Sequence, residues 1–280
     1  MDNTYLSLLI FTVITIIYFV LIKAKLTAEL ISNDPENVIS TYTKTNLLRL
    51  AIYFMLIILT QFALNASTII STCGGSITQN IGVAFVMTFV PWVFIFGLLI
   101  AVIVMFPGIK SAFSDVIGYF VVSGSANTLL SELLVDTNLS ATMENSSMTG
   151  EQKTAMEAAS EVVMKLKGDT GILINQITPE NFIGYWNTLQ PLMNPMYKNN
   201  LEKQNQLLQL VTLRDNIGEA CWYIYTAILL ISIVQYNLAA RGCVKDLATM
   251  EKDYQDFLTK EDQIEADQKK ATATTYTINN

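Results

Sequence analysis

The stretch Met105–Gly124, MFPGIKSAFSDVIGYFVVSG, places one base, Lys110, and one acid, Asp115, just beyond the longest apolar run of this chain. Covalent or acid–base catalysis needs a nucleophile, a base and a group that orients the base, and no such set accompanies them. The chain contains no histidine, which excludes Ser-His-Asp and Cys-His catalysis and every His-ligated metal site. Its three cysteines, Cys73, Cys221 and Cys243, show no CxxC spacing, so neither zinc nor an iron–sulfur cluster is expected. Cys221 and Cys243 flank one apolar run and would lie roughly 33 Å apart along a helix, far beyond disulfide reach. All three are expected as free thiols, with Cys73 alone placed to pair, and then with an outside partner. The residues thus point to no enzyme, no metal and no cofactor.

What must position them is a membrane. Of 280 residues, 51% are hydrophobic and 15% charged, against about 25% charged in soluble domains, and the mean hydropathy is +0.39. Seventeen basic and 24 acidic residues leave a net charge of −7, the wrong sign for a nucleic-acid binder or a polybasic lipid-surface protein. Four apolar runs reach the ~20 residues that a bilayer requires: 5–22, 47–64, 81–106 and one within 217–240. The first lacks the basic flank and cleavage signal of a signal peptide. Pro91 interrupts the third and is expected to kink it, with Thr88 placed to satisfy the freed carbonyl. The loop before the second run carries Lys23, Lys25 and Lys44, whereas residues 65–80 carry no charge. The first loop is therefore expected on the cytoplasmic side, the 65–80 loop and the tail outside, and residues 107–219 inside. Inside the runs there is no Asp, Glu, Lys or Arg, with Arg49 and Glu219 at the edges. Coupled transporters keep such groups at midplane, so Thr15, Thr60, Gln61, Thr88 and Gln235, and the Gly97/Ala101 pair, are read as helix-packing residues.

The remainder is helical in pattern. Pro107 and Gly108 stop the third span, and Lys110 is expected to snorkel to the interface. With Ser111 as N-cap, Phe113, Val116, Ile117, Phe120 and Val121 form one stripe opposite Ser114, Asp115 and Gly118. That is an amphipathic helix too short to cross. Further on, Ser125 or Asn127 opens a helix carrying Leu129, Leu130, Leu133 and Leu134. Thr149 with Gln152 forms a capping box whose helix stops at Gly168, and Thr178 caps another, while Pro191 and Pro195 break the chain. The sequons at Asn138, Asn145 and Asn65 are expected to be unmodified. From Met196 to about Asp267 the pattern stays helical, either as one rod or as three helices hinged at Gly218 and Gly242. Leu201, Leu208, Val211 and Asn205 share its first stripe, and Leu247, Met250, Tyr254, Phe257, Leu258 and Ile264 follow after the membrane. The expected fold is all-α: an integral membrane protein with about four transmembrane helices, an interfacial helix and a helical loop domain. Its parts are a three-span region (1–109), the interfacial helix (110–124), a helical non-membrane region (125–216), the fourth span (217–240) and a helical polar tail (241–280).

Cys73–Gly75, the Pro91-Trp92 span and FPGIKSAFSDVIGY (Phe106–Tyr119) together resemble membrane proteins of large icosahedral nucleocytoplasmic DNA viruses, such as chlorella viruses. Those proteins show a pattern like F-P-G-W-K-x-P-F-S-N-x-x-G-Y after a membrane helix. Phe106, Pro107, Gly108, Lys110, Phe113, Ser114, Gly118 and Tyr119 match it, while Ile109, Ala112 and Asp115 depart from it. The resemblance covers about 50 of the 280 residues. It implies a minor capsid protein that ties the internal viral membrane to the capsid shell, having passed through a host endoplasmic-reticulum-derived membrane during assembly. Its partners would be the lipid bilayer, major and other minor capsid proteins and, as a further candidate, a second copy of the chain, with no nucleic acid. The competing expectations are a channel or transporter-like pore subunit lined by Thr and Gln, and a virion entry or fusion factor.

Overall fold

An apolar run in lipid can satisfy its backbone polar groups only by coiling on itself, and each of the four runs forms helix. The structure, a computed structural model, describes residues 3–33, 35–73, 77–134, 170–241, 243 and 247–275. Helix α1 (Asn3–Ile17) continues through a π-helical turn, Tyr18–Ile22. A short α2 (Ala28–Asn33) precedes α3 (Pro35–Thr72). The third span is composite: α4 (Ile77–Pro91), a π turn at Trp92–Phe96, and α5 (Gly97–Met105). Pro91 cannot donate to the ladder, and the widened turn follows it directly. An elbow comes next, built from a 3-10 turn at Pro107–Lys110, α6 (Ser111–Phe113) and a π turn at Ser114–Gly118, and it runs on into α7 (Tyr119–Leu133). Then follow α8 (Thr170–Gln176), α9 (Phe182–Leu189), α10 (Leu201–Arg241) and α11 (Leu247–Thr275).

The protein is all-α, and four of its helices are long and apolar enough to cross a membrane: Thr4–Ile22, Asn37–Thr72, Asn80–Met105 and Leu201–Arg241. Their outward faces carry exposed Leu9, Leu21, Leu48, Leu59, Phe94 and Leu98, as lipid-facing helices should. At the bundle centre Phe11, Tyr18, Tyr53, Trp92, Phe96 and Tyr223 pack together, with Tyr18 stacked on Tyr53 at 4.5 Å between ring centroids. A second core lies beyond one end of the bundle, where α2, α7, α8 and α9 wrap the N-terminal half of α10 through Leu130, Leu133, Ile174, Phe182, Trp186 and Leu208. An ion pair between Lys203 and Glu132 and a backbone bond from Asn194 to Leu133 O (2.9 Å) close this subdomain.

Several expectations change. Helix α3 runs beyond residue 64 to Thr72 because Gln61 and Asn65, which read as the end of the run, are buried and bonded to other helices. Gln61 donates to Ser7 O (3.2 Å), and Asn65 bonds Thr88 (2.8 Å) and Gln235 (2.7 Å). Thr15 bonds Tyr53 (2.8 Å), while Thr60 donates only to its own helix at Leu56 O. Gly97 packs against the Phe54 ring, and Ala101 is exposed, so those two residues form no joint packing surface. Ser125 and Asn127 lie inside α7 rather than at its start, because the elbow already supplies a helical backbone. Thr178 and Asn181 exchange the two capping-box hydrogen bonds, and regular helix begins at Phe182. Helix α10 passes through Gly218 unbroken and ends at Arg241, so the chain from 196 onward is neither one rod nor three pieces. Leu208 and Val211 are buried on its inner face, whereas Leu201 is exposed. Thr149, Gln152, Gly168, Gly242 and the sequons at Asn138 and Asn145 lie outside the described residues.

Candidate functional site: a buried charge clamp at one end of the bundle

Two acids four residues apart, Asp215 and Glu219, share one face of α10 one turn before its apolar stretch, and two lysines come to meet them. Lys110, from the elbow, bonds Asp215 at 2.6 Å. Lys23, one residue past the π turn of the first span, bonds Glu219 at 2.8 Å and the Asn216 amide oxygen at 2.7 Å, and lies 5.0 Å over the Phe19 ring. The second oxygen of Glu219 accepts from the Tyr223 hydroxyl at 2.7 Å. Asn46 caps the Ala24 N–H (2.8 Å) and Arg49 donates to Ile22 O (2.7 Å), which fixes the turn that delivers Lys23.

Immediately before Asp215, Arg214 is almost wholly buried. Its guanidinium donates to the carbonyls of Ile174 and Ile177 and to the Asn175 side chain, at the C-terminal end of α8. A cation there complements the negative end of the helix dipole. Asp115 stands 4.0 Å away, on the elbow.

The elbow and α10 touch backbone to backbone. A Cβ on Gly218 would lie 2.6 Å from Ser114 Cβ and 2.9 Å from Lys110 O, and one on Gly118 would lie 2.5 Å from Arg214 O. Trp222 donates to Ile109 O at 3.0 Å, and its ring meets Phe113 edge-on at 4.9 Å. Lys110, Phe113, Ser114 and Gly118 therefore form one face seated on α10.

This corrects two readings. Lys110 does not snorkel; it is buried, because Asp215 lies within reach and satisfies its charge better than the membrane rim would. Ser111 is not an N-cap: its hydroxyl donates back to Gly108 O, and the helical turn already starts at Pro107. The side bearing Ser114 and Gly118 is the buried one, while Val116, Ile117, Phe120 and Val121 are exposed. Of the remaining motif residues, Phe106 is exposed, Gly108 has open space around its Cα, and Tyr119 packs against the subdomain core. Pro91 precedes the π turn that seats the fully buried Trp92.

Burial works against the charge on Lys110, but Asp215 and Glu219 outweigh it and raise its pKa above the ordinary lysine value. The group sits in a buried ion pair with Asp215. Among the described residues there is no group of three or more His, Cys, Asp or Glu able to hold a metal.

At the other end of the bundle, Cys73 follows α3 and Cys243 follows α10, and the two are joined in a disulfide with a Cα–Cα separation of 5.2 Å. This overturns the expectation of three free thiols. The separation along the chain is 170 residues, and the second and fourth spans run in the same direction, so their C-terminal ends meet. Cys221 alone is free.

No protein-family model, curated protein or solved structure matches this chain. The fold and the site define an all-α membrane protein whose polar machinery is a clamp between elements.

Proposed function

We propose that this chain is a structural membrane protein, a minor capsid protein that anchors an internal viral membrane to an icosahedral capsid shell. The observation that carries the reading is the elbow. The residues that match the viral pattern, Lys110, Phe113, Ser114 and Gly118, form the face that locks the end of the third span onto α10. Such a lock makes the bilayer bundle and the subdomain beyond it one rigid connector, which is what a tether between two layers requires. The buried charges are paired with one another at one end of the bundle, an arrangement suited to holding helices rather than to passing ions. The subdomain and α11 extend from opposite ends of α10, so one of them meets the shell and the other faces away from it.

Cross-linking mass spectrometry on the native assembly tests the proposal. Lys198 reports on the subdomain, and Lys252 and Lys269 report on α11. Links from one of these two sets to a major capsid protein are expected. Absence of any link to another protein would sink the reading.

A further inference from the structure

Helix α11 stands apart from both cores. Leu247, Met250, Tyr254, Phe257 and Ile264 are 49–80% exposed, although most helical stability in proteins comes from packing an amphipathic face against a partner. Their spacing is 3, 4 and 3 residues, and a further 4-3 step across Glu261 reaches Ile264. That is a heptad pattern with Leu247, Tyr254 and Glu261 at a and Met250, Phe257 and Ile264 at d. A period of 3.5 keeps the stripe on one side only if the helix supercoils around a partner.

We propose that α11 is one strand of a parallel, in-register two-stranded coiled coil, and that its partner is α11 of a second copy of this chain. Two observations choose that occupant. First, Lys260 falls at g and Glu265 at e of the next heptad, so in a parallel pair each Lys260 faces the other copy's Glu265, twice across the two-fold axis. Second, α11 starts four residues after Cys243, which the disulfide to Cys73 ties to the end of the second span. Two copies in one bilayer therefore present α11 from the same face and at the same height, which aligns them in direction and in register. Three heptads make a weak dimer in solution, and confinement to a membrane raises the effective concentration that such a short stripe needs. Glu261 at an a position weakens the pair, as a polar residue in the seam does. The proposal rests on the spans crossing a membrane and is independent of the capsid reading.

The test uses the full chain in lipid vesicles with Cys221→Ser, the Cys73–Cys243 disulfide being left in place. Met250→Cys and Phe257→Cys, both at d, should give same-residue interchain disulfides in most of the protein under mild oxidation. Thr259→Cys, on the outer f position, should give little. Without added cysteines, Glu261→Leu should tighten dimerisation by about tenfold, and Tyr254→Glu with Phe257→Glu should abolish it, while leaving the thermal transition of the bundle in place. The proposal is overturned by a monomer, by equal cross-linking at Thr259, by pairing of position 250 only with 264, or by cross-links solely to another protein.

Discussion

At Lys110 two opposed effects meet: burial disfavours the ammonium, and the carboxylates of Asp215 and Glu219 favour it more strongly. Removing one partner of such a pair strands the other charge, at a cost of about 3–5 kcal/mol, whereas replacing both with apolar groups is often nearly neutral. Lys110→Met should therefore destabilise the protein by that amount in detergent unfolding experiments, and Lys110→Met with Asp215→Leu should recover most of the loss. Equal stability of the single and double variants would show that the pair is not coupled. The raised pKa also sets a sign. Its contribution is complete below the free lysine value of 10.5 and is lost as pH rises through the higher folded value. Thermal stability should be insensitive to Lys110 across the neutral range and should fall in strong alkali, and the fall should disappear in the double variant. Glycine at 218 is a second residue-scale constraint, since a side chain there meets Ser114 and the Lys110 carbonyl below 3 Å. Gly218→Val should cost ~1–3 kcal/mol or more by overpacking. Gly82→Ala, with nothing within 4 Å of its Cβ, should be neutral or slightly stabilising on the same scale.

At the scale of elements, α10 is the spine: its first half is wrapped by the subdomain, and its second half fills the bundle beside α1, α3 and the third span. Its membrane half is held at either end by different chemistry, ion pairs near Asp215 and a disulfide after Arg241. Closing so long a loop restrains the unfolded chain, and losing a native disulfide typically costs about 2–5 kcal/mol. Cys243→Ser should lower the unfolding midpoint under non-reducing conditions and should make the protein indifferent to reductant. Peptide mapping of the unreduced protein should recover Cys73 linked to Cys243 and Cys221 free. The elbow was legible in part: Pro107 and Gly108 did end the third span, and the exposed stripe at Val116, Ile117, Phe120 and Val121 has the composition of an interfacial helix. Its buried side was not legible, because Ser114 and Gly118 look like a solvent face until another backbone is laid against them.

Across the whole molecule, the two ends of the bundle differ. One gathers Lys23, Lys110, Asp215 and Glu219, and the other gathers Cys73, Cys243 and the start of α11. Membrane-impermeant thiol reagents should therefore label Lys25→Cys and Thr259→Cys from opposite sides of sealed vesicles; labelling of both from one side would refute the four-span arrangement. Hydropathy determined the number of candidate spans and the all-α class, and composition excluded histidine chemistry. These depend on composition and on the solvent that each helix face can tolerate, properties that neighbouring residues carry locally. Tertiary structure alone decided that Lys110 is buried, that Cys73 meets Cys243, and that Gly118 and Gly218 are contact points. Each of these depends on distances between residues about 100 or more positions apart, and a charge or thiol has the same identity in a sequence whether it faces water or a partner. The RDNIGE segment (Arg214–Glu219) did carry a trace of the clamp, two acids on one helical face beside a span. Its meaning required knowing that Lys23 and Lys110 end their own spans at the same level.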